Sequence, residues 1–168
     1  MSELVFAFGS NMCSGRFRDY GVSPEGAGKL ALLSGYGLRF TKPSVDGSGK
    51  AHVEPEEGAE VWGVLYSIPD ADLPTLDVGE GRGYARHRRS VRTAQEDVEA
   101  WVYEAVHPSR DPALRPYSWY TRFLVEGAKE HNLPADYVRA LEGVEAAEDL
   151  NAHRDTQKRL LVCGERTD

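Results

Sequence analysis

The sequence predicts a single α+β domain in which the β-strands come first and the helices come last. Its 168 residues suit one domain with a sizeable core. Strand-like apolar runs recur up to about residue 106, whereas apolar residues after residue 115 repeat at helical spacing. No repeat or linker divides the chain, so we assign residues 1–150 to the domain and residues 151–168 to a polar C-terminal tail.

The strands are predicted from short apolar runs with turn residues at their ends. These runs are residues 4–8, 29–40, 61–66, 84–93 and 98–106. Glycines inside the run at 29–40 predict a long strand with bulges. The run at 61–66 is apolar on both faces, which is typical of a buried strand. The last two runs predict an antiparallel hairpin of a sheet or barrel, because apolar side chains alternate with polar or aromatic ones in 98–106.

The helices are predicted from apolar residues three or four positions apart. Residues 119–128 show this spacing, and a stop follows at residues 132–134. Residues 136–147 carry one apolar stripe and predict an amphipathic helix. Between the strands, residues 68–75 contain two prolines and predict a short helix or turn that leads to Asp77.

The composition limits the classes of partner. With 20 Lys and Arg against 27 Asp and Glu, the net charge is −7, so the field of the protein repels nucleic acid and anionic membranes. No stretch approaches about eighteen consecutive apolar residues, and the N-terminus lacks the pattern of a signal peptide. We therefore expect a cytoplasmic protein without a membrane span. The five histidines show no metal-ligand spacing, so no metal is expected.

The first candidate motif is the turn that ends the first strand, Gly9-Ser10-Asn11. Successive backbone N–H groups in such a turn can bind an anion, because glycine allows close approach and the two polar side chains add donors. The alternative is an ordinary strand end in which Ser10 or Asn11 caps a short helix. The pattern alone favours the cap.

The second candidate motif is Leu76-Asp77-Val78-Gly79-Glu80-Gly81. In apolar surroundings the pKa of Glu80 would be raised, and the carboxyl group would serve as a general acid and base. The alternative is a solvated acid, which the pattern alone favours because the chain has 27 acids.

Two further features have competing interpretations. The aromatic run at residues 116–120 is as typical of a core as of a small-molecule pocket. The arginines within residues 82–89 suit a phosphate grip, although the acidic net charge favours a solvated face. Trp101 and Trp119 are as typical of a homodimer interface as of the core, so both locations stay open.

Four segments in this order resemble the gamma-glutamylcyclotransferase family. They are Phe-Ala-Phe-Gly-Ser-Asn at residues 6–11, Val-Trp-Gly-Val-Leu-Tyr at 61–66, Leu-Asp-Val-Gly-Glu-Gly at 76–81 followed by Tyr84, and Tyr120 followed by residues 127–134 and Tyr137. The last segment resembles the enzymes of glutathione metabolism more closely than other branches. The resemblance covers roughly residues 4 to 147.

The resemblance implies a small mixed, barrel-like β-sheet with flanking helices. It implies a cytoplasmic cyclotransferase, in which the α-amine of a small γ-glutamyl amide attacks its own γ-carbonyl and releases an amine and 5-oxoproline. Glu80 would transfer the protons, and Gly9, Ser10 and Asn11 would hold the carboxylate and carbonyl oxygen of the substrate. Tyr120 would line the site. Neither a metal nor an organic cofactor is implied.

The sequence departs from the family pattern at three places. Phe8 stands where a tyrosine is usual. The interval from Glu80 to Tyr84 is short, so Tyr84 matches the substrate-binding tyrosine of the family only loosely. Several arginines also occur in the following strand. These departures leave the reaction class unchanged and bear on the identity of the substrate. Three alternatives to the cyclisation of a small amide stay open. One is removal of a γ-glutamyl protecting group from a larger or carrier-bound amine, the second is a non-catalytic binding module, and the third is a thiol hydrolase that uses Cys13.

Overall fold

The strands of this chain close into a barrel. In the computed structural model, which describes residues 1–162, the strands pair in the order β1-β3-β2-β4-β5 around a closed barrel. Along the chain they are β1 (Ser2–Ala7), β2 (Glu25–Pro43), β3 (Gly49–Pro69), β4 (Tyr84–Arg92) and β5 (Asp97–Ala105). With the helices outside it, this barrel confirms the predicted α+β class and the barrel-like sheet with flanking helices.

Strands β2 and β3 form a long, bent hairpin. Their pairing register shifts between Glu25 and Lys29 and again between Ser34 and Tyr36. Gly35 lies at the second shift with a φ of 79°, a conformation that favours glycine, so the predicted glycine bulge is confirmed. The bends let one hairpin wrap around the barrel instead of lying flat.

The prediction for β3 was too short, because β3 begins twelve residues before Val61, at Gly49. Residues 54–60 carry exposed glutamates and a proline, which is not a strand-like composition. Glu54, Pro55 and Glu60 pair with β2, and residues 56–59 lie between them at the register shift, so the pairing and not the composition makes this part of the hairpin a strand.

The barrel closes where β1 meets β5. Val5 pairs in parallel with Trp101, while the rest of β1 runs antiparallel to β3. Gly63 allows the close approach of β1, because a Cβ there would lie 2.6 Å from the Phe6 ring and 2.4 Å from the carbonyl oxygen of Ala7. The β4–β5 hairpin pairs from Tyr84 to Arg92, as predicted.

The helices pack around the barrel, and in the described residues they are α1 (Arg16–Asp19), α2 (Leu73–Glu80), α3 (Ser118–Glu130), α4 (Ala135–Glu142) and α5 (Ala152–Leu160), with 3₁₀ turns at Ser10–Met12 and Asp70–Asp72. None of these helices has the length and apolar character needed to cross a membrane. Helix α3 lies directly against the turn after β1, and Gly127 makes this possible. A Cβ at Gly127 would lie 2.5 Å from the backbone nitrogen of Cys13.

The prediction that the last amphipathic helix runs to residue 147 was wrong. Helix α4 ends at Glu142, and Gly143 follows. Ala147 instead forms a parallel bridge with Tyr117, and its carbonyl oxygen accepts a hydrogen bond from the Ser118 backbone N–H at 2.9 Å. The backbone of this segment is therefore used to hold the start of α3 rather than to extend α4.

Residues 152–160 of the predicted tail form helix α5, and residues 163–168 lie outside the described residues. The side chain of Asn151 caps α5 by accepting the Arg154 backbone N–H at 3.0 Å. Arg154 also forms a bidentate ion pair with the buried carboxylate of Asp149, at 2.6 and 2.7 Å. Asp149 in turn accepts the indole N–H of the buried Trp119 at 2.9 Å, which ties α5 to the core.

Candidate active site

A cavity at the carboxyl end of β1 brings together all seven residues that the sequence singles out. It is small, about 40 Å³ in volume, and is lined by Val5, Phe6, Ala7, Phe8, Gly9, Ser10, Asn11, Ala51, Glu80, Tyr84, Tyr103 and Tyr120. Its walls are aromatic and apolar, and the polar groups are concentrated on the turn after β1 and on Glu80.

The turn after β1 presents backbone donors to this cavity. The 3₁₀ turn begins at Ser10, and its first backbone N–H groups have no acceptor within the turn. Gly9 lets the chain pass between two neighbours, since a Cβ there would lie 3.2 Å from the Cβ of Ala51 and 3.3 Å from the hydroxyl oxygen of Tyr120. A side chain at this position would therefore crowd the cavity wall.

The interpretation of Ser10 or Asn11 as an ordinary helix cap was wrong. Neither the 3₁₀ turn nor α1 has a side-chain cap. The Asn11 amide Nδ2 instead donates a short hydrogen bond to the carboxylate Oε1 of Glu80. The two sequence motifs, 69 residues apart, thus meet through their side chains.

Glu80 is the last residue of α2. Leu73 and Leu76 anchor the helix in the core, and Gly81 ends it with a φ of 80°. Gly79 gives room for an aromatic cover, because a Cβ there would lie 2.6 Å from the ring of Tyr20. The fold therefore requires a glycine on each side of Glu80. The Glu80 carboxylate is positioned by the end of a helix and not by an irregular loop.

Burial raises the pKa of Glu80 to about 7. The Asn11 amide opposes this shift by donating to the carboxylate, and the positive charges of Arg16 and Lys42 oppose it further, whereas the negative charge of Asp77 adds to it. A carboxyl group with this pKa exchanges a proton readily near neutral pH, as a general acid and base must.

Two tyrosine hydroxyl groups are fixed to the backbone of the same residue of β3, Ala51. The Tyr84 hydroxyl donates to the carbonyl oxygen of Ala51 at 2.7 Å, and the Tyr120 hydroxyl accepts the Ala51 backbone N–H at 3.0 Å. Burial raises the pKa of both hydroxyl groups, so both stay protonated. These bonds hold the two rings as rigid walls of the cavity.

Tyr103 is a cavity residue that the sequence analysis missed. The alternation in β5 places it with Glu99 and Trp101, away from the apolar face. Helix α2 covers this face of β5 at the end of the strand where Tyr103 lies. Tyr103 is therefore buried, and its hydroxyl donates to Asp77 at 2.7 Å. Arg86, directly across the hairpin, pairs with the same Asp77 oxygen at 2.9 Å. Only the position of α2 on the barrel reveals this contact.

The arginine run lies on the outside of the barrel. Besides Arg86, Arg88 pairs with Glu3, and Arg89 pairs with Glu104 at 2.7 Å. Arg86 and Arg88 also lie against the Trp101 ring, with their guanidinium carbons 4.6 and 4.1 Å from the ring centre. This arrangement supports a solvated face whose charges are balanced by the chain's own acids.

A second hollow, larger at about 440 Å³, is lined by Ser14, Arg18, Tyr66, Glu130 and His131 among others. Several of its polar groups are bonded to one another, because Ser14 donates to Glu130 and His131 is hydrogen-bonded to Tyr66 at 2.8 Å. Size alone would favour this hollow, but the perturbed carboxyl group and the donor turn lie in the smaller cavity. We therefore take the smaller cavity as the candidate active site.

Two other kinds of site lack support. Within residues 1–162, no group of three or more His, Cys, Asp or Glu side chains is arranged to hold a metal ion. Cys13 is fully buried and does not line the cavity that contains Glu80. The geometry therefore gives a thiol hydrolase no accessible nucleophile at this site.

The chain is similar to known gamma-glutamylcyclotransferases. A sequence model described as the AIG2-like family matches residues 60–141. The gamma-glutamylcyclotransferase of Bos taurus is 29% identical over 153 residues, which cover 86% of this chain and 79% of that protein. The gamma-glutamylcyclotransferase of Homo sapiens is 27% identical over 151 residues, with the same coverage. A solved gamma-glutamyl cyclotransferase structure has the same fold, with a TM-score of 0.81 at 24% identity, over 94% of this chain and 97% of that one.

Proposed function

We propose that the chain is a gamma-glutamylcyclotransferase-like enzyme that cyclises a small γ-glutamyl amide to 5-oxoproline and releases an amine. Its similarity to the gamma-glutamylcyclotransferases of Bos taurus and Homo sapiens supports this proposal. The main support for this proposal is the hydrogen bond between the two sequence motifs, from Asn11 to Glu80. The carboxylate of Glu80 meets the Asn11 amide inside a cavity that the backbone of the Gly9-Ser10-Asn11 turn also lines. A proton carrier and a set of oxygen-binding donors therefore face the same small volume.

Glu80 acts as base and acid in turn. The α-ammonium group of the substrate loses one proton before it attacks the γ-carbonyl carbon and a second after the new C–N bond has formed. The departing nitrogen gains the same number of protons as the original amide C–N bond breaks. One carboxyl group with a pKa of about 7 can carry these protons from one nitrogen to the other.

The turn after β1 supplies the remaining parts. Backbone N–H groups of Ser10 and Asn11 stabilise the oxygen that becomes negative in the tetrahedral intermediate. The Asn11 carbonyl oxygen Oδ1 is buried and has no hydrogen-bond partner among the described residues. Because Nδ2 already donates to Glu80, Oδ1 is available to accept an N–H of the α-ammonium group and to direct it at the carbonyl carbon.

The aromatic walls hold the substrate in a compact conformation. Ring closure within one molecule depends on orientation more than on a strong nucleophile. Phe8 and Tyr120 are buried, and the hydroxyl groups of Tyr84 and Tyr120 are hydrogen-bonded to the backbone of Ala51. They exclude water and keep the γ-glutamyl chain folded on itself.

The test is the release of 5-oxoproline from γ-glutamyl-alanine, γ-glutamyl-ε-lysine and glutathione. Glu80→Gln keeps the shape of the side chain but removes its proton transfer, so we expect activity to fall by about 10²–10⁴-fold. Glu57→Gln, at an exposed glutamate of β3, is the matched control and should retain wild-type activity. Release by Glu80→Gln at the wild-type rate would contradict the proposal.

The remaining alternatives give different results in the same assay. A binding module would bind the amides without releasing 5-oxoproline, whereas an enzyme for a carrier-bound amine would release it only from substrates larger than this panel. The outer arginines would be the residues to meet an acidic carrier protein, but they pair with acids of the same chain, so the geometry gives no argument for such a carrier.

A further inference from the structure

Lys42 is an unpaired cation in a chain rich in acids. Acidic residues outnumber Lys and Arg by 27 to 20. Most cations near the barrel are paired with a carboxylate, and the pairs include Arg16–Asp19, Lys50–Asp46, Arg86–Asp77, Arg88–Glu3 and Arg89–Glu104. In the part of the chain that the structure describes, the ammonium group of Lys42 takes part in no hydrogen bond or ion pair.

The fold holds Lys42 beside the cavity. Its stem lies across Gly83, where a Cβ would come within 2.3 Å of the lysine Cε. Its Nζ lies 5.2 Å from the centre of the Tyr84 ring, which lines the cavity. The Lys42 charge also favours the ionised form of Glu80, so the two groups share one electrostatic neighbourhood.

The neighbours of Lys42 raise the free-energy cost of keeping its positive charge unpaired. Its partner across the β2–β3 hairpin is Lys50, and like charges at facing positions of a sheet repel each other. Lys50 turns its ammonium group to Asp46 at 3.0 Å and to the face of Trp119 at 4.3 Å. Among the described residues, the ammonium group of Lys42 lies against the Tyr84 ring but is paired with no carboxylate. An anion bound at the mouth of the cavity would therefore pair with its charge.

The position of this cation relative to Glu80 indicates which part of the substrate it meets. In the proposed reaction the turn after β1 binds the γ-glutamyl half, and the departing nitrogen must lie next to Glu80 to receive its protons. A group attached to the carbon beside that nitrogen then reaches the Lys42 side of the cavity. We propose that Lys42 binds an anionic group on the departing amine, a carboxylate next to the scissile amide, so that amides of amino acids are preferred over amides of plain amines.

This inference rests on the proposed function, and a pair of matched substrates tests it. γ-Glutamyl-alanine and γ-glutamyl-ethylamide differ only in the carboxylate of the departing amine. The measured quantity is the ratio of kcat/KM for alanine amide over ethylamide. Any effect of Lys42 on the pKa of Glu80 changes both values and therefore cancels in the ratio.

Two variants and one control complete the experiment. Lys42→Met keeps the length of the stem and removes the charge, and we expect the ratio to fall by about tenfold or more, as for the loss of a charged hydrogen bond. Lys42→Arg keeps the charge and should keep most of the ratio. Lys29→Met removes an exposed lysine from the same strand and should leave the ratio at its wild-type value.

The outcomes separate the inference from the function on which it rests. A fall in the ratio for Lys42→Met that Lys42→Arg restores would support the inference. If Lys42→Met lowered kcat/KM equally for both amides, or for neither, Lys42 would not bind the departing group, although the cyclotransferase reaction would stand. If the wild type released 5-oxoproline from neither amide, the proposed function and the inference would both be wrong.

Discussion

Replacing Glu80 by glutamine should make the protein more stable at alkaline pH while it abolishes the proposed reaction. The folded chain holds the proton of Glu80 up to about pH 7, whereas the unfolded chain loses it near the ordinary value of 4.5. Between these two values the folded state binds more protons than the unfolded state. The free energy of unfolding therefore decreases as the pH rises through this interval. Glutamine does not titrate and escapes this loss.

The size of the effect follows from the difference between the two pKa values. Each pKa unit corresponds to about 1.4 kcal/mol, so Glu80 lowers the stability by roughly 3 kcal/mol once both states are ionised. Part of this loss has already occurred at about pH 5, where the unfolded state is largely ionised. Between about pH 5 and pH 8.5, the advantage of Glu80→Gln over the wild type should grow by about 2–3 kcal/mol.

Urea unfolding at the two pH values measures this advantage. Glu57→Gln serves as the control for a generic loss of negative charge, and its difference from the wild type should change little with pH. If the difference between Glu80→Gln and the wild type were the same at both pH values, Glu80 would have an ordinary pKa. The argument for a neutral-pH acid and base would then lose its physical basis.

Three further predictions concern the site and its supports. Asn11→Ala removes a hydrogen bond that favours the ionised form of Glu80, so the pH at which kcat/KM reaches half its maximum should rise by roughly one unit; an unchanged or lower midpoint would contradict this. Gly127→Ala places a Cβ against the backbone of the turn after β1 and should cost about 1–3 kcal/mol in urea unfolding, with wild-type stability as the contrary result. Asp149→Ala leaves the Trp119 indole N–H without its acceptor and should cost about 2–4 kcal/mol, whereas a cost below about 1 kcal/mol would show that α5 contributes little.

The sequence predicted the elements whose pattern is local. The β4–β5 hairpin and helix α3 follow from alternation, from helical spacing and from the stop after Glu130, and the structure confirms them. Residues 49–60 were missed because their strand geometry comes from pairing with β2 and not from their own composition. The end of α4 was missed for a similar reason, since residue 147 is held by a bridge to Tyr117.

The candidate site divides in the same way. Glu80 and the turn after β1 stand out by residue type, and the family resemblance singles them out as a set. Tyr103 and Lys42 do not, because their place at the cavity depends on α2 covering the end of β5 and on the bend of the β2–β3 hairpin. Such contacts between distant segments have no periodic signal in the chain.

The hydroxyl groups around the cavity show why one carboxyl group has to carry the chemistry. The hydroxyl of Tyr84 donates to Ala51, that of Tyr120 accepts from Ala51, and that of Tyr103 donates to Asp77. Burial raises the pKa of all three tyrosines, so among the lining residues Glu80 alone gains and loses a proton near neutral pH. One carboxyl group that both gains and loses protons is sufficient for a reaction that moves protons from one substrate nitrogen to another. The fixed tyrosines thus leave the proposed proton transfer to Glu80.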